Sequence, residues 1–201
     1  MAKRFLLLSA IVFSLTLNAQ ISESQKIDLK DDARIKLRTF MNYIQIIGSR
    51  GDKDGQPIYD IESKEMAIQR ALKLFKDDAM MEVSSYNRNS SNFYTIKEYL
   101  YRLKNSLNYD QVNITFQAQA LYFNENNLVK VPNAKEETYV GTITVVQIFE
   151  ASRSVEGEMM VQYKDEVKKN VEIIIKKLED STGQHWRVIL GDVSVTETKK
   201  I

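Results

Sequence analysis

Between residues 170 and 197, apolar and polar positions sort into two strand-like runs, 171–178 and 185–196. The polar stretch Glu179-Asp180-Ser181-Thr182-Gly183-Gln184 separates them. β-Branched residues fill both runs, and Gly183 supplies the positive φ that a tight turn requires. In the second run His185, Arg187, Ile189, Gly191, Val193 and Val195 share one face. Trp186, Val188, Leu190, Asp192, Ser194 and Thr196 share the other, because side chains alternate along a strand. The spacing predicts a β-hairpin that closes a curved antiparallel sheet.

The first half of the chain follows a different period. Leu29, Ala33, Leu37, Phe40, Met41 and Ile44 recur every three or four positions and predict a helix over 30–47, stopped by Gly48. Met66, Ile68, Ala71, Leu72 and Phe75 predict a second helix over 63–76. Residues 80–86 read as a short strand and 87–92 as a loop. Thr95 and Glu98 have the spacing of a capping box, in which each side chain reaches the other's backbone N–H. Ile96, Tyr99, Leu100, Leu103 and Leu107 then line a third helix.

From Asp110 onward the period is two. Val112, Ile114, Phe116, Ala118, Ala120 and Tyr122 alternate with polar residues, as in a half-buried strand over 111–123. The small Ala118 and Ala120 leave space on that face. Residues 124–137 read as a polar loop and 138–151 as the next strand, with Gly141 marking a bulge or bend. Residues 152–170 are ambiguous. Part of 159–163 fits a short strand, and 164–169 a solvated turn or strand end.

The N-terminus changes the picture. Met1-Ala2-Lys3-Arg4 precedes thirteen residues, 5–17, in which only Ser9, Ser14 and Thr16 are polar. A basic start, an apolar run short of the roughly 20 residues that span a bilayer, and a small residue at the exit describe a secretory signal. Cleavage is expected after Ala19, followed by a flexible lead-in at 20–29, one domain over 30–197 and a tail at 198–201. Loss of Lys3 and Arg4 leaves 26 basic against 27 acidic residues, a net charge of −1. That balance gives no general attraction to nucleic acid or anionic lipid. No stable membrane insertion is expected after cleavage. An exported chain with no Cys suits the periplasm or outer surface of a Gram-negative bacterium.

Motif chemistry is sparse. The chain has one His, no Cys and no paired-ligand spacing, so neither a metal nor a cofactor is expected. The loop Gly48-Ser49-Arg50-Gly51-Asp52-Lys53-Asp54-Gly55-Gln56-Pro57 contains an Arg-Gly-Asp tripeptide and a fragment of a calcium loop. With Gly55 at the sixth position of a calcium loop, Arg50 and Ile61 would fall where carboxylates belong. Ordinary turn chemistry accounts for the segment.

The order of helix, helix, short strand, helix and long antiparallel strands resembles the NTF2-like (SnoaL-like, cystatin-related) α+β family. The segment ALKLFKDDAMMEV at 71–83 resembles the family's passage from helix to short strand. Residues 95–104 resemble its third helix, and His185-Trp186-Arg187-Val188 its last strand. The resemblance implies three N-terminal helices packed on a curved antiparallel sheet, a cone with an open mouth. Such a cone is a ligand site by default. Tyr86, Tyr99, Tyr122, Tyr163 and His185 are the residues expected to line it, holding a small apolar or sugar-like ligand. Trp186, Val188 and Leu190 would form an outward apolar strip, as expected of a homodimer that pairs through its sheets.

Acid–base enzymes of the family place an Asp with a His or Tyr in the cone. Alternation puts Asp192 opposite His185, which excludes a dyad on that strand. The expectation is therefore an exported, non-catalytic binding module for a small ligand or a protein partner. The alternatives are a small isomerase- or dehydratase-like enzyme and an envelope subunit that dimerises through its sheet. A carboxylate within reach of His185 or a Tyr inside the cone separates the enzyme from the other two.

Overall fold

The computed structural model describes residues 21–50, 58–87, 90–105, 109–117, 122–123, 128–155, 158–181 and 183–201. Three helices, α1 (Glu23–Gly48), α2 (Ile61–Leu72) and α3 (Ile96–Asn105), pack against one sheet. Its strands are β1 (Met80–Val83), β2 (Asn92–Thr95), β3 (Gln111–Phe116), β4 (Tyr122–Phe123), β5 (Val129–Lys130), β6 (Thr138–Val155), β7 (Glu158–Asp180) and β8 (Gly183–Lys200). The order across the sheet is β2-β1-β8-β7-β6-β3, with β4 and β5 also pairing with β6. The signal segment and the loop 51–57 lie outside the described residues.

Helix α1 starts earlier than its apolar stripe predicts. Gln25 N–H donates to Ser22 Oγ at 3.2 Å and Ser22 N–H to Gln25 Oε1 at 3.0 Å, a capping box that sets the first turn at Glu23. The expected lead-in is therefore helical from Glu23, and Ile21 is buried. Leu29, Ala33, Leu37, Phe40, Met41, Ile44 and Ile47 form the buried face. At its end Gly48 lets α1 approach β3 closely, since a Cβ there would lie 2.4 Å from Ile114 Cδ1. Asp60 caps α2 by accepting from Ser63 N–H at 2.6 Å, so the helix begins at Ile61, two residues before its apolar stripe predicts. The stripe of α2 shifts accordingly, with Ala67, Ile68 and Ala71 buried and Met66 exposed. The predicted box of α3 is present: Glu98 N–H donates to Thr95 Oγ1 at 3.2 Å and Thr95 N–H to Glu98 Oε2 at 2.8 Å.

The hairpin β7–β8 turns at Gly183, where φ is 107°. It lies in the middle of the sheet instead of closing it, because β1 adds to β8 in parallel at Met81↔Val193. The sheet is thus mixed, although its other pairings are antiparallel. The ambiguous segment 152–170 completes a long β6–β7 ladder from Thr138↔Lys176 to Val155↔Glu158. Register slips occur at Ala151/Ser152, Lys168/Lys169 and Val171/Ile173. Such bulges bend a sheet and increase its twist. Gly141, read as a bulge, pairs regularly with Ile173.

One face of the bent sheet takes the helices. Ile143 and Val145 of β6, Val171, Ile173 and Ile175 of β7, and Val188, Leu190 and Val193 of β8 join Leu37, Phe40, Ile44, Ile68 and Leu100 in one apolar core. Each such side chain contributes roughly 1.5–3 kcal/mol of burial. This is the α+β cone that the resemblance implies. It also corrects the outward strip. Val188 and Leu190 are 2% and 0% exposed within the single chain. Trp186 packs edge-on to Tyr139 with ring centroids 5.9 Å apart. The core-facing positions of β8 switch from Val188 and Leu190 to Val193 because the slip between Leu190 and Val193 reverses the alternation.

Candidate functional site

Along β7 alternate side chains enter the concave face, and an unbroken apolar series would be expected of a core strand. Instead Asp165 and Lys169 interrupt it, 2% and 6% exposed. Lys164 to Lys169 is therefore an interior strand segment with Asp165, Val167 and Lys169 facing the core, not the solvated turn its charges suggest. Opposite, β6 contributes Gln147, also buried. The register Val145↔Lys169 and Gln147↔Val167 makes Gln147 and Lys169 diagonal neighbours, roughly 7–8 Å apart at Cα. Helix α3 lays Tyr99 over them.

Lys169 has weak company for a buried ammonium. Its Nζ lies 3.9 Å from Met81 Sδ and 5.7 Å from the centre of the Tyr99 ring. Burial pulls its pKa down to about 8, against the attraction of Asp165 and Glu82. About a tenth of such lysines are neutral at pH 7. Glu82 is committed elsewhere, accepting from Val195 N–H at 2.7 Å. The Tyr99 hydroxyl is also held neutral by burial, with the Gln147 side chain opposing through a hydrogen bond. Gln147 Oε1 is buried and finds no hydrogen-bond partner among the described residues.

Toward the end of the ladder the Tyr163 hydroxyl donates to Asp165 in a short hydrogen bond. Ser85 Oγ lies 2.9 Å from the same hydroxyl. A phenol carries one proton, so Ser85 is the group placed to donate back. Burial raises the Asp165 carboxyl above its ordinary value, while Tyr163 and Lys169 oppose the rise. Burial and the Asp165 hydrogen bond push the Tyr163 phenol up to about 12. The Tyr163 ring stacks edge-on to Phe149 at 5.8 Å. Beside them Ser84 and Thr198 share a short hydroxyl–hydroxyl bond. Tyr163, Ser85, Val83 and Thr198 are half-buried, so this end of the cone is the more accessible one.

Of the expected lining residues, Tyr99 and Tyr163 meet in this cluster. Tyr86 does not bring its ring, which is 55% exposed. Its backbone N–H instead serves Tyr163 and Asp165. Tyr122 pairs through its backbone with Thr144, and its side chain lies outside the description. His185 stands at the turn, exposed, with Nδ1 3.7 Å from Asp180 Oδ2. It pairs with Leu178, nine residues along β7 from Lys169 and so roughly 30 Å away. Lys169, Asp165, Gln147 and Glu82 are the residues that sequence reasoning missed. The available signal was the period of two: counting back from Val171 through Val167 places Lys169 and Asp165 on the inward face.

No group of three or more His, Asp or Glu side chains placed to hold a metal occurs among the described residues. The cluster can donate through Lys169, accept through Gln147 and Asp165, and exchange a proton along Tyr163–Asp165.

No family model matches the chain, and no curated protein sequence matches it. Similar solved structures include a type 2 hexachlorocyclohexane dehydrochlorinase, 12% identical, covering 87% of this chain and 93% of its own, TM-score 0.40. A protein described as an aromatic ring hydroxylase from Novosphingobium aromaticivorans is 11% identical over 85% and 94% of the two chains, TM-score 0.35. Another from that organism, described as a scytalone dehydratase, is 12% identical over 88% and 91%, TM-score 0.34. At these distances the likenesses add nothing to the site.

Proposed function

We propose that the chain is an exported module that binds a small molecule at the accessible end of the cone, with Lys169 and Gln147 as its polar anchors. The observation that carries this reading is an incompletely partnered donor and an acceptor without a partner among the described residues, neighbours on an apolar wall. A buried polar group without a partner costs about 1–3 kcal/mol. A ligand offering an oxygen acceptor to Lys169 and an N–H or O–H to Gln147 removes that cost. Amides, hydroxy-ketones and hydroxy-acids have this pattern, and the sugar-like ligand expected from the aromatic residues has part of it. Phe149, Tyr163 and Val83 supply the apolar contact.

The test is an NMR screen of small amides and hydroxy-acids against the protein. Binding is expected to perturb Gln147 and Lys169 and to be lost in Gln147→Leu and Lys169→Met. Hits that map elsewhere, or that survive both substitutions, would refute the site. Export is tested separately: N-terminal sequencing of the protein secreted by its host should begin at Gln20.

The Tyr163–Asp165 bond favours a second reading, an acid–base enzyme. It is a carboxylate within reach of a Tyr in the cone, the feature that separates enzyme from binder. Here Asp165 accepts the substrate proton and Tyr163 stabilises the oxyanion that forms. Any turnover found should vanish in Asp165→Asn. Turnover that persists there would exclude this reading.

A further inference from the structure

A cavity of about 630 Å³ opens where the C-terminal ends of α1 and α3 meet the start of α2. Three cations converge on it: Arg50, Lys64 and Lys104. Part of their purpose is structural. Lys64 Nζ donates to the Ser49 carbonyl at the end of α1, and Arg50 Nη2 donates to the Leu103 carbonyl near the end of α3 at 3.2 Å. Helix C-termini carry unsatisfied carbonyls and favour cations. That role leaves donors over. Arg50 Nε is buried with no hydrogen-bond partner among the described residues. Lys64 is 8% exposed and spends one of its three ammonium protons on Ser49.

The charges do not cancel among the described residues. Lys104 pairs with Glu65 at 2.8 Å, and that carboxylate also accepts from Tyr101 at 2.6 Å. Counting Asp110 in the lining as a full negative charge, three cations still face two anions. Burial, then repulsion from Arg50 and Lys104, lowers the Lys64 pKa. The same cavity has an apolar rim. Tyr59 and Tyr109 line it, and Ile61 beside them is 77% exposed. The volume falls in the range of small-molecule sites.

We propose that this cavity binds a small organic oxyanion with a flat apolar body. The oxyanion sits on Arg50, Lys64 and Lys104, and the body lies against Tyr59 and Tyr109. The planar Arg fork and the Lys point charges suit either a phosphate ester or a carboxylate. The site is independent of the concave cluster.

Calorimetric titration of the full chain with phenyl phosphate and with benzoate tests it, the stronger binder identifying the head group. Saturable binding is expected for at least one of them. It should weaken about tenfold or more in Lys64→Met, and also on raising NaCl from about 0.05 to about 0.5 M, where screening shortens to a few Å. Tyr59→Ala should weaken the aromatic ligand and leave inorganic phosphate unchanged. Lys169→Met should have no effect. If Lys64→Met fails to fold for want of its helix cap, Lys104→Met, which leaves that cap in place, replaces it. Absence of saturable binding by either probe, or affinity undiminished in the folded lysine variants, would overturn the proposal.

Discussion

Replacing Lys169 by Met takes an ammonium off the concave wall and leaves an apolar chain of similar length. The folded-state pKa of about 8 against the ordinary 10.5 corresponds to roughly 3 kcal/mol against keeping the charged form in the fold. Asp165 feels the attraction of Lys169, so its carboxyl becomes harder to ionise once the lysine is gone. That offsets part of the gain. The expected net effect at pH 7 is a stabilisation of ~1–3 kcal/mol, in line with replacement of other poorly compensated buried charges. The pH dependence has a defined sign. Above pH 8 the unfolded chain holds the Lys169 proton and the folded chain has lost it. The wild type therefore carries this penalty in full and without pH dependence below about pH 8, and loses it, gaining stability, from about pH 8 to about 10.5. Urea unfolding of both proteins at intervals from about pH 6 to about 10.5 isolates the effect. The stability advantage of Lys169→Met should shrink through the upper half of that range. A variant less stable than wild type at pH 7, or a difference independent of pH, would refute the burial argument.

Tyr163→Phe leaves Asp165 without its hydroxyl partner and is expected to cost about 1–3 kcal/mol at neutral pH. The folded-state pKa of Asp165 is already raised, so its contribution is largest in acid and is lost as pH rises through that value. The Tyr163→Phe deficit should therefore fall on acidification, as denaturant titrations at pH 4 and pH 7 would show. Leu190→Ala, at a fully buried position, should cost about 2–5 kcal/mol and leave the oligomeric state unchanged. A change in sedimentation without a stability loss would restore the interface reading of this strip. Thr95→Ala removes one half of the α3 capping box and should cost about 1 kcal/mol in thermal unfolding.

The periodic parts of the sequence were the legible ones. The α1 stripe from Leu29 to Ile44, the Thr95/Glu98 box, the inward Val112 and Ile114, and the turn at Gly183 all stand where local chemistry places them. Beyond β1, the short strands were not legible. Residues 92–95 and 129–130 become strands only because β1 and β6 offer them edges. The parallel addition of β1 to β8 also depends on tertiary packing alone. Charge hid the site, and bulges hid the facing of β8. The run Lys164 to Lys169 carries five charged side chains, so composition argued for solvent where register places two of them, Asp165 and Lys169, inward. The slips at Lys168/Lys169 and between Leu190 and Val193 reversed the alternation, so faces counted straight through β8 were assigned wrongly beyond the bulge. An aromatic inventory found Tyr99 and Tyr163 because both are large enough to be buried. It had no means of finding the lysine between them.

The most direct measurement is a pH titration of the lysine ε-carbons by NMR, with isotope in the lysine side chains and Lys169→Met for assignment. If the cone holds a desolvated ammonium, the resonance that the substitution removes titrates near pH 8. If that resonance instead moves with the surface lysines near pH 10.4, Lys169 is in water and the concave cluster is not the site described.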